Sequence, residues 1–530
     1  MTLGACSHKS TIDTLTVRLS TEPQTLDWNR AHTPFETHLL SNLMEGLLSY
    51  NSKMEILPQL AQSWTVSRDH KTYTFKLRPG VLWSDGVPLT AEHFVTSWKR
   101  LLSPQTAAPY AYLLFDIVGA KAFAEGRDPS FSHVGIQALS ETEIQVRLDQ
   151  PVAHWLHILT FWVTFPLRED LAQNHFLSQA GQVTVGPYVL SQQSDPMTHF
   201  TLEANPHYWG TALNQGPHFK RAVFQIVKDN STALNLYDSK HLNILTDLPA
   251  YQVEQLEAEK GKGGAPDFRT FPYLKTLYLG FNHNREPLNR PSLRKAIAQG
   301  LDRSTLQPLL KPGQSIATSF VPAGMPGHLA SAQIGLPFNL KEAQRALAVS
   351  GLKSGDSIDL LLLNHEKSLL IGQWIQAELK KNLGLQIRLQ AFDNKTFRSA
   401  LDRREYPLFL TSWSADYPDA DNFVSLFLSE SGNNRIGLKN PEFDRMVLSA
   451  RQSSYPLERI QKYFEIQKFL LQQDIGLVPL HYDRNTALVQ PELTGFEINP
   501  LNVFLLKNVR RSSNETESRK TQPSNSTQQK

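Results

Sequence analysis

Residues 57–98 constrain the fold of this chain more than any other stretch, because they specify a strand, a turn and a helix in succession. Polar and apolar residues alternate over 71–77, which predicts a half-buried strand. Arg78-Pro79-Gly80 predicts a turn, since proline presets φ and glycine tolerates positive φ. A short strand is predicted at 81–83, and Thr90 has the character of a helix N-cap. The helix that follows presents one apolar face, formed by Phe94, Val95 and Trp98.

The second half of the chain alternates between apolar strands and amphipathic helices, which is typical of an α/β domain. Gly384 is placed to end one of these helices. Nearer the N-terminus, a strand is predicted at 14–19 and a helix over 101–126. The alternating elements are predicted at 277–282, 291–301, 340–349, 358–363, 371–383, 385–389, 457–473 and 477–481.

Length and charge limit the possible classes of protein. A chain of 530 residues is longer than one hydrophobic core normally supports, so two or three domains are expected. Its net charge of +3 is too small to favour binding to nucleic acid or to an acidic membrane surface. The longest apolar run, 152–165, is interrupted by His154 and His157 and is too short to span a bilayer. The two histidines are interpreted as structural.

The stretch 57–98 resembles the signature of the extracellular solute-binding proteins of family 5, the peptide- and nickel-binding subunits of ABC importers. A match this long is specific, whereas no single tripeptide within it is. The residues that carry it are 61–64 (AQSW), 73–75 (YTF), 77–78 (LR), 80–81 (GV), 83–86 (WSDG) and 88–92 (PLTAE).

The resemblance implies an α/β, two-lobed periplasmic-binding-protein fold of type II-like architecture, with an extra subdomain in lobe 1. Residues 1–13 are expected to be a processing site and tether, and 510–530, which lack aliphatic and aromatic residues, a disordered tail. The rest is expected to divide into lobe 1 (14–50, 167–275 and 483–509), its inserted subdomain (51–166) and lobe 2 (276–482), with a hinge near the two crossings.

Cys6 is the only cysteine, which excludes a disulfide within the chain. The order Leu3-Gly4-Ala5-Cys6 resembles a bacterial lipoprotein processing site, at which the cysteine becomes acylated. A membrane anchor at Cys6 is therefore predicted, and a buried, inert cysteine is the alternative. The charged and hydrophobic parts of a signal peptide do not precede it here.

Residues 408–423 (LFLTSWSADYPDADNF) are the strongest candidate for a binding loop. They resemble the Trp-x-Ala-Asp-Tyr segment of the oligopeptide-binding relatives, in which the aspartate receives the ligand's ammonium group. The resemblance gives that role to Asp416, a carboxylate suited to a charge-assisted bond with an ammonium. Read without the resemblance, Asp416 is a solvated turn residue; a calcium loop through Asp416, Asp419 and Asp421 is a weaker alternative. Ser412, Trp413, Ser414 and Ala415 are predicted to contact the ligand beside it.

Further ligand contacts are implied by the resemblance. Trp413 and Tyr110 match aromatic positions of the peptide cleft, with core packing as the alternative. The segment His32-Thr33-Pro34 matches backbone that pairs with bound peptide, although Pro34 has no N–H to donate.

The chain departs from its relatives where they place cations near the other end of the ligand. Leu410 and Leu369 occupy positions that carry an arginine and a histidine in the enteric oligopeptide binders. Lys311 is the nearby cation that still matches a family position. A ligand carboxylate is therefore expected at Lys311 or hydrated in the cleft, with a narrowed or shifted length preference.

The predicted function is capture of peptides outside the cytoplasm for a membrane permease and its ATPase subunits. Partners are thus the peptide, the ABC transporter and, through the anchor, a membrane; the protein is expected to be monomeric, with no nucleic acid, cofactor or metal. A specialised cargo of the same family (murein peptide, dipeptide or nickel chelate) is the first alternative. A peptidase or hydrolase using the same cleft is the second, but the sequence contains no Gly-x-Ser-x-Gly elbow, and no enzyme activity is predicted.

Overall fold

The protein is described by a computed structural model, which covers residues 13–51, 53–173, 182–328, 334–453 and 455–512. Cys6 and most of the expected C-terminal tail lie outside these residues. The strands are β1 Thr14–Leu19, β2 Leu48–Tyr50, β3 Ile56–Pro58, β4 Ala61–Val66, β5 Thr72–Leu77, β6 Ile136–Ser140, β7 Glu143–Arg147, β8 Tyr188–Leu190, β9 His199–Ala204, β10 Arg221–Ile226, β11 Ile244–Thr246, β12 Phe268–Phe281, β13 Ser315–Ile316, β14 Ser357–Leu363, β15 Gln386–Phe392, β16 Leu408–Ser414, β17 Leu477–Val489, β18 Leu493–Thr494 and β19 Arg510–Arg511.

The α-helices lie mainly between these strands in the order of the chain. They are α1 Pro34–Leu43, α2 Ala91–Leu102, α3 Ala120–Ala124, α4 Trp155–Ile158, α5 Glu169–Gln173, α6 Asn230–Asp238, α7 Ala250–Lys260, α8 Pro291–Gly300, α9 Leu340–Ser350, α10 Glu366–Leu383, α11 Asn394–Asp402, α12 Asp421–Val424, α13 Pro441–Gln452 and α14 Pro456–Lys468.

One large sheet passes through both halves of the molecule, in the order β15-β14-β16-β12-β17-β11-β1-β10-β9-β8, with β13 beside β17. We call the part built on β11, β1, β10, β9 and β8 the first lobe, and the part built on β15, β14 and β16 the second lobe. The long strands β12 and β17 belong to both. Their mutual register shifts between Pro272 and Thr276, which marks the place where the pairing of one lobe gives way to that of the other.

The expected lobe boundaries, 275/276 and 482/483, fall inside β12 and β17. The connection between the lobes is therefore a pair of hydrogen-bonded strands. In the second lobe, successive side chains of each strand point to opposite faces of the sheet, and the two faces pack into two separate cores. Tyr278 and Phe409 pack into one, while Leu279, Leu408 and Leu410 pack into the other.

A separate four-stranded sheet, in the order β4-β5-β7-β6, lies within the segment expected to be inserted into lobe 1, and α2 packs on it. The predicted strand and helix of this segment are confirmed: β5 spans Thr72–Leu77, and α2 follows Thr90 as its N-cap. The predicted strand at 81–83 is wrong, since it is reduced to one bridge between Leu82 and Pro88.

The helix predicted over 101–126 is also wrong. α2 ends at Leu102, and only a short 3-10 turn at Ala111–Leu114 and α3 follow. Ala107 and Gly119 adopt positive φ, which interrupts any continuous helix.

At the C-terminus, Arg510–Arg511 pair with Leu493–Thr494, so the first residues of the expected tail form a strand. None of the helices among the described residues is both long and apolar enough to cross a membrane.

Candidate functional site

A cleft of about 690 Å³ lies between the two lobes. The first lobe contributes the segment before α1, the aromatic residues around Tyr110, and the loop 497–508, while the second contributes the end of β16 and the loop after it. Of the predicted ligand contacts, those that line the cleft are His32, Thr33, Tyr110, Ser412, Trp413, Ser414, Ala415 and Asp416. Lys311 is not among the lining residues.

Asp416 is a buried carboxylate at the surface of this cleft, with 8% of its area exposed. It lies two residues beyond the end of β16, after Ala415, whose N–H still bonds the Leu274 carbonyl of β12. Burial raises its pKa from 3.8 to about 7, although interactions with Asn422, Tyr110 and Tyr112 oppose the rise. Within the described parts of the chain, no lysine, arginine or histidine forms an ion pair with this carboxylate. Its charged form therefore lacks the cationic partner that a buried carboxylate requires.

Asn422, which the sequence analysis missed, holds Asp416 and Trp413 in place. Its Oδ1 accepts hydrogen bonds from the Trp413 indole N–H (2.9 Å) and the Asp416 backbone N–H (3.0 Å). Its amide nitrogen donates to Asp416 Oδ2 at 3.3 Å. No local pattern points to Asn422, because its bonds reach residues six and nine positions earlier, across a loop whose path is set by packing.

Aromatic side chains lie next to Asp416 at the cleft, and two of them, Tyr110 and Tyr112, interact with its carboxylate. The ring of Tyr110 makes edge contacts with Phe161 and Trp162, at centroid distances of 5.1 and 5.8 Å. Trp413 is half-buried at the end of β16. Because Tyr110 belongs to the segment 51–166 and Asp416 to the second lobe, a ligand at this point touches both sides of the cleft.

The end of β16 presents an open strand edge to the cleft. β16 pairs with β12 as far as Ser414, but its pairing with β14 ends at Phe409. The N–H of Ala415 bonds Leu274 of the neighbouring strand at 2.8 Å. Since successive backbone groups in a strand point to opposite sides, those of Ser412 and Ser414 point away from β12.

The backbone of His32-Thr33-Pro34 has fewer free donors than expected. Glu36 Oε2 accepts the N–H groups of His32 (2.6 Å) and Thr33 (2.8 Å), and Pro34 has none. This segment therefore offers a ligand carbonyl groups rather than donors while Glu36 stays in place. Glu36 is fully buried, and it stabilises the start of α1.

The alternative sites are occupied by structural contacts. Asp421 forms a bidentate pair with Arg451 (2.8 and 3.0 Å), and Asp419 pairs with Arg459, so these two carboxylates do not form a calcium loop. His154 is buried, stacks on Tyr417 at 4.9 Å and lies 3.6 Å from Asp421. His157 contacts Tyr50 Oη at 3.0 Å. Both histidines thus have the structural role that was predicted.

Leu410 and Leu369 belong to the core of the second lobe, where Leu410 is 2% exposed and Leu369 packs against the same cluster. Neither lines the cleft. The Lys311 ammonium donates to the Leu248 carbonyl at 3.1 Å, and neither residue is among those that line the cleft. A cation that does line the cleft, Lys275, was missed, although its position directly before the predicted strand at 277–282 could have indicated it.

The chain belongs to the bacterial extracellular solute-binding proteins, family 5, whose model matches residues 55–435. It is 28% identical over 517 residues to the periplasmic oligopeptide-binding protein OppA of Salmonella typhimurium, covering 94% of this chain and 92% of the relative. Its fold is the two-lobed fold of that family.

Two solved structures show the likeness in three dimensions. The Escherichia coli murein tripeptide-binding protein MppA superposes with a TM-score of 0.83 at 25% identity, covering 94% of this chain and 98% of that one. Haemophilus influenzae OppA in complex with the peptide RPPGFSPFR gives 0.82 at 25% identity, with 94% and 99% covered. The predicted family and fold class are confirmed.

Proposed function

We propose that this protein captures peptides outside the cytoplasm and delivers them to a membrane permease driven by an ATPase. One observation carries the proposal: Asp416 is buried, has no cationic partner among the described residues, and lies on the wall of a cleft between two lobes. The ammonium of a peptide is the cation that this carboxylate lacks, because it brings a positive charge and three donors.

The open edge of β16 supports the same proposal. Ser412 and Ser414 direct backbone donors and acceptors into the cleft, where an extended peptide adds as a further strand. Such pairing recognises the main chain that all peptides share, so it binds without selecting a sequence. The aromatic wall around Tyr110 then packs against peptide side chains. Relatives that bind oligopeptides and murein peptides make peptides the favoured cargo.

Binding without catalysis is part of the proposal. Two serine–histidine pairs occur among the described residues, Ser319 Oγ to His328 Nδ1 at 3.2 Å and Ser239 Oγ to His241 Nδ1 at 3.0 Å, and neither lines the cleft. Ser319 is fully buried and also bonds the Val321 carbonyl, so a substrate does not reach its hydroxyl.

A membrane anchor at Cys6 completes the proposal. Detergent-phase partitioning of the native product, compared with that of Cys6→Ser, tests the anchor. If both proteins partition equally into the aqueous phase, the anchor is contradicted.

The decisive experiment compares Asp416→Asn with the parent in calorimetric titrations with trialanine and N-acetyl-trialanine. The substitution is expected to weaken binding of the free-amine peptide by roughly 2–5 kcal/mol, because a buried ammonium loses its charged partner. The acetylated peptide is expected to bind the parent poorly. Asp128→Asn, in an exposed ion pair with His133, is the control and leaves binding unchanged. Equal binding of free and acetylated peptide by the parent contradicts the role of Asp416.

A further inference from the structure

The segment 51–166 meets the second lobe at a group of charged and aromatic side chains, which we call the interlobe cluster. The segment shares one hydrophobic core with the first lobe, so the cluster joins the two lobes. Its members are not among the residues that line the cleft. The segment contributes Asp116 and His154, and the second lobe contributes Tyr417, Asp419, Asp421, Arg451 and Arg459.

His154 is enclosed by side chains of the second lobe and is only 1% exposed. Its ring stacks on Tyr417 at a centroid distance of 4.9 Å and an interplanar angle of 7°. Its Nε2 lies 3.6 Å from Asp421 Oδ2, and its Nδ1 lies 3.5 Å from Arg459 Nη2. Among the described residues, each polar or aromatic partner of the ring thus comes from the second lobe, so the ring becomes exposed when the lobes part.

The neighbours of the ring fix where its proton lies. The Arg459 guanidinium can only donate, so the Nδ1 of His154 that faces it accepts and carries no proton. Nε2 then holds the proton and directs it towards Asp421. Because Asp421 and Asp419 are each already paired with an arginine, a second proton on the ring, at Nδ1, would face a guanidinium. The closed arrangement therefore holds His154 in its neutral form.

Burial acts in the same direction. It lowers the pKa of His154 below 6.5, with Arg451 and Arg459 adding to the effect and the two aspartates opposing it. Asp116 faces Arg451 rather than the ring, at 4.0 Å from the guanidinium. The remaining titratable neighbours are neutral: Tyr417 and Tyr463, whose pKa burial raises, and His157, whose pKa burial lowers to about 4.

We propose that His154 is an acid-sensitive latch between the lobes: its neutral ring holds the cleft closed, and a proton at Nδ1 separates it from Arg459 and releases the bound peptide. The latch rests on the proposed function, in which a peptide reaches Asp416 when the lobes part and leaves by the same route. Once the lobes are apart, the ring is hydrated and its pKa returns to the ordinary value of about 6.5. Acid below that pH therefore favours the open protein, because only the open protein binds the second proton.

A purely structural residue explains this position less well. His154 interrupts the apolar run 152–165, and a phenylalanine there would continue that run and stack on Tyr417 equally well. A histidine instead places two nitrogens against charged groups of the opposite lobe, at a cost in desolvation. The backbone beside it crosses the same boundary, since the Ala153 N–H donates to the Arg451 carbonyl at 3.2 Å. Tyr417, although it follows β16, packs in the core of the first lobe.

The test compares trialanine binding at pH 5.5 and pH 7.5 for the full chain, for His154→Gln and for the control His133→Gln. Glutamine keeps a donor and an acceptor but does not titrate in this range. His133 belongs to the same segment, is exposed and pairs with Asp128. Calorimetry gives each dissociation constant, and its ratio between the two pH values is the quantity compared.

This ratio is expected to be about tenfold larger for the parent and the control than for His154→Gln. The reason is that a ring with a pKa of about 6.5 is protonated about ten to one at pH 5.5, and closure has to remove that proton. Asp416 contributes the same factor to all three proteins, since none of them changes it.

A count of protons tests the latch in the parent alone, without any variant. At pH 5.5, the heat of trialanine binding is measured in buffers of different ionisation enthalpy. The ammonium displaces about one proton from Asp416, whose pKa is about 7 without peptide, and closure displaces about one more from His154. Release of about two protons is expected, and release of about one shows that His154 does not titrate.

The outcomes separate the latch from peptide capture. If trialanine binds the parent and the ratio is the same in the parent and in His154→Gln, the latch is wrong and peptide capture stands. A larger ratio in His154→Gln than in the parent also overturns the latch, since acid would then close it. If trialanine does not bind the parent at either pH, both proposals are wrong.

Discussion

Asp416 and Asp421 are two buried carboxylates five residues apart, Asp416 in the loop after β16 and Asp421 at the start of α12, with opposite electrostatic environments. Asp421 is fully buried and forms two bonds with the Arg451 guanidinium, while the Tyr417 hydroxyl donates a third at 3.0 Å. Burial alone would raise its pKa, but Arg451 outweighs that effect and lowers it. Asp416 has no such partner among the described residues, and burial raises its pKa to about 7.

Both carboxylates are buried, yet their pKa values shift in opposite directions. Burial alone therefore does not determine the role of a carboxylate. Asp421 is balanced inside the protein, so it contributes to the contact between the second lobe and His154 of the first. Under the proposed function, the charged form of Asp416 is balanced by the ammonium of a peptide that enters the cleft. A binding site for an ammonium is in this sense an ion pair of which the protein supplies one half.

The largest expected effect on stability comes from removing the Arg451 guanidinium. Without it, Asp421 lacks a paired cation, as Asp416 does. Arg451→Met leaves a fully buried carboxylate without its cation and is expected to lower the free energy of unfolding by about 5 kcal/mol. Chemical denaturation at pH 7 measures it. Arg445→Met, on the exposed face of the same helix, is the control and is expected to change stability by less than about 0.5 kcal/mol. A loss below about 1 kcal/mol for Arg451→Met would show that the pair is not what balances Asp421.

The pH dependence of stability isolates Asp416. Its pKa is raised on folding, so its contribution is fully present below pH 3.8 and is lost as the pH rises through about 7. For the peptide-free protein this loss is about 4 kcal/mol, since each pKa unit corresponds to about 1.4 kcal/mol.

The measurement compares unfolding free energies of the parent and Asp416→Asn from pH 4 to pH 8. The difference between them is expected to move in favour of the variant as the pH rises, because asparagine does not titrate. A difference that stays constant over this range contradicts the environment described for Asp416. With saturating peptide, the unfolding free energy of the parent is expected to change less between pH 4 and pH 8, since the ligand supplies the missing cation.

Tyr417→Phe gives the smallest expected effect. It removes one neutral donor from Asp421 and leaves Arg451 in place, so we expect a loss of about 1 kcal/mol in unfolding free energy. Peptide affinity should stay within threefold of the parent, because the Tyr417 hydroxyl faces Asp421 and not the cleft. A loss as large as that of Arg451→Met would mean that the hydroxyl, and not the guanidinium, holds the carboxylate.

Local pattern was enough to predict several elements, whereas the loop that carries Asp416 was predicted from its resemblance to the oligopeptide-binding relatives. Thr90 begins a helix and Gly384, at φ 70°, ends another, because capping depends only on neighbouring backbone groups. Pattern failed over 101–126, where apolar residues that suit a helix form instead short helical turns that pack against α2 and against each other. There the tertiary contacts of Leu113 and Leu114 outweigh local propensity.

The sequence by itself determined the family, the alternation of strands and helices, and the placement of Trp413 at the end of a buried strand with Asp416 just beyond it. Only the tertiary structure decided that Asn422 orients both of them, that Glu36 occupies the donors of His32 and Thr33, and that Lys275 meets Lys367 across Asp483. The reason is physical. Strands, caps and turns depend on residues within a few positions of each other, whereas the charge balance of a cleft depends on side chains that lie far apart in the chain and meet only when the lobes pack.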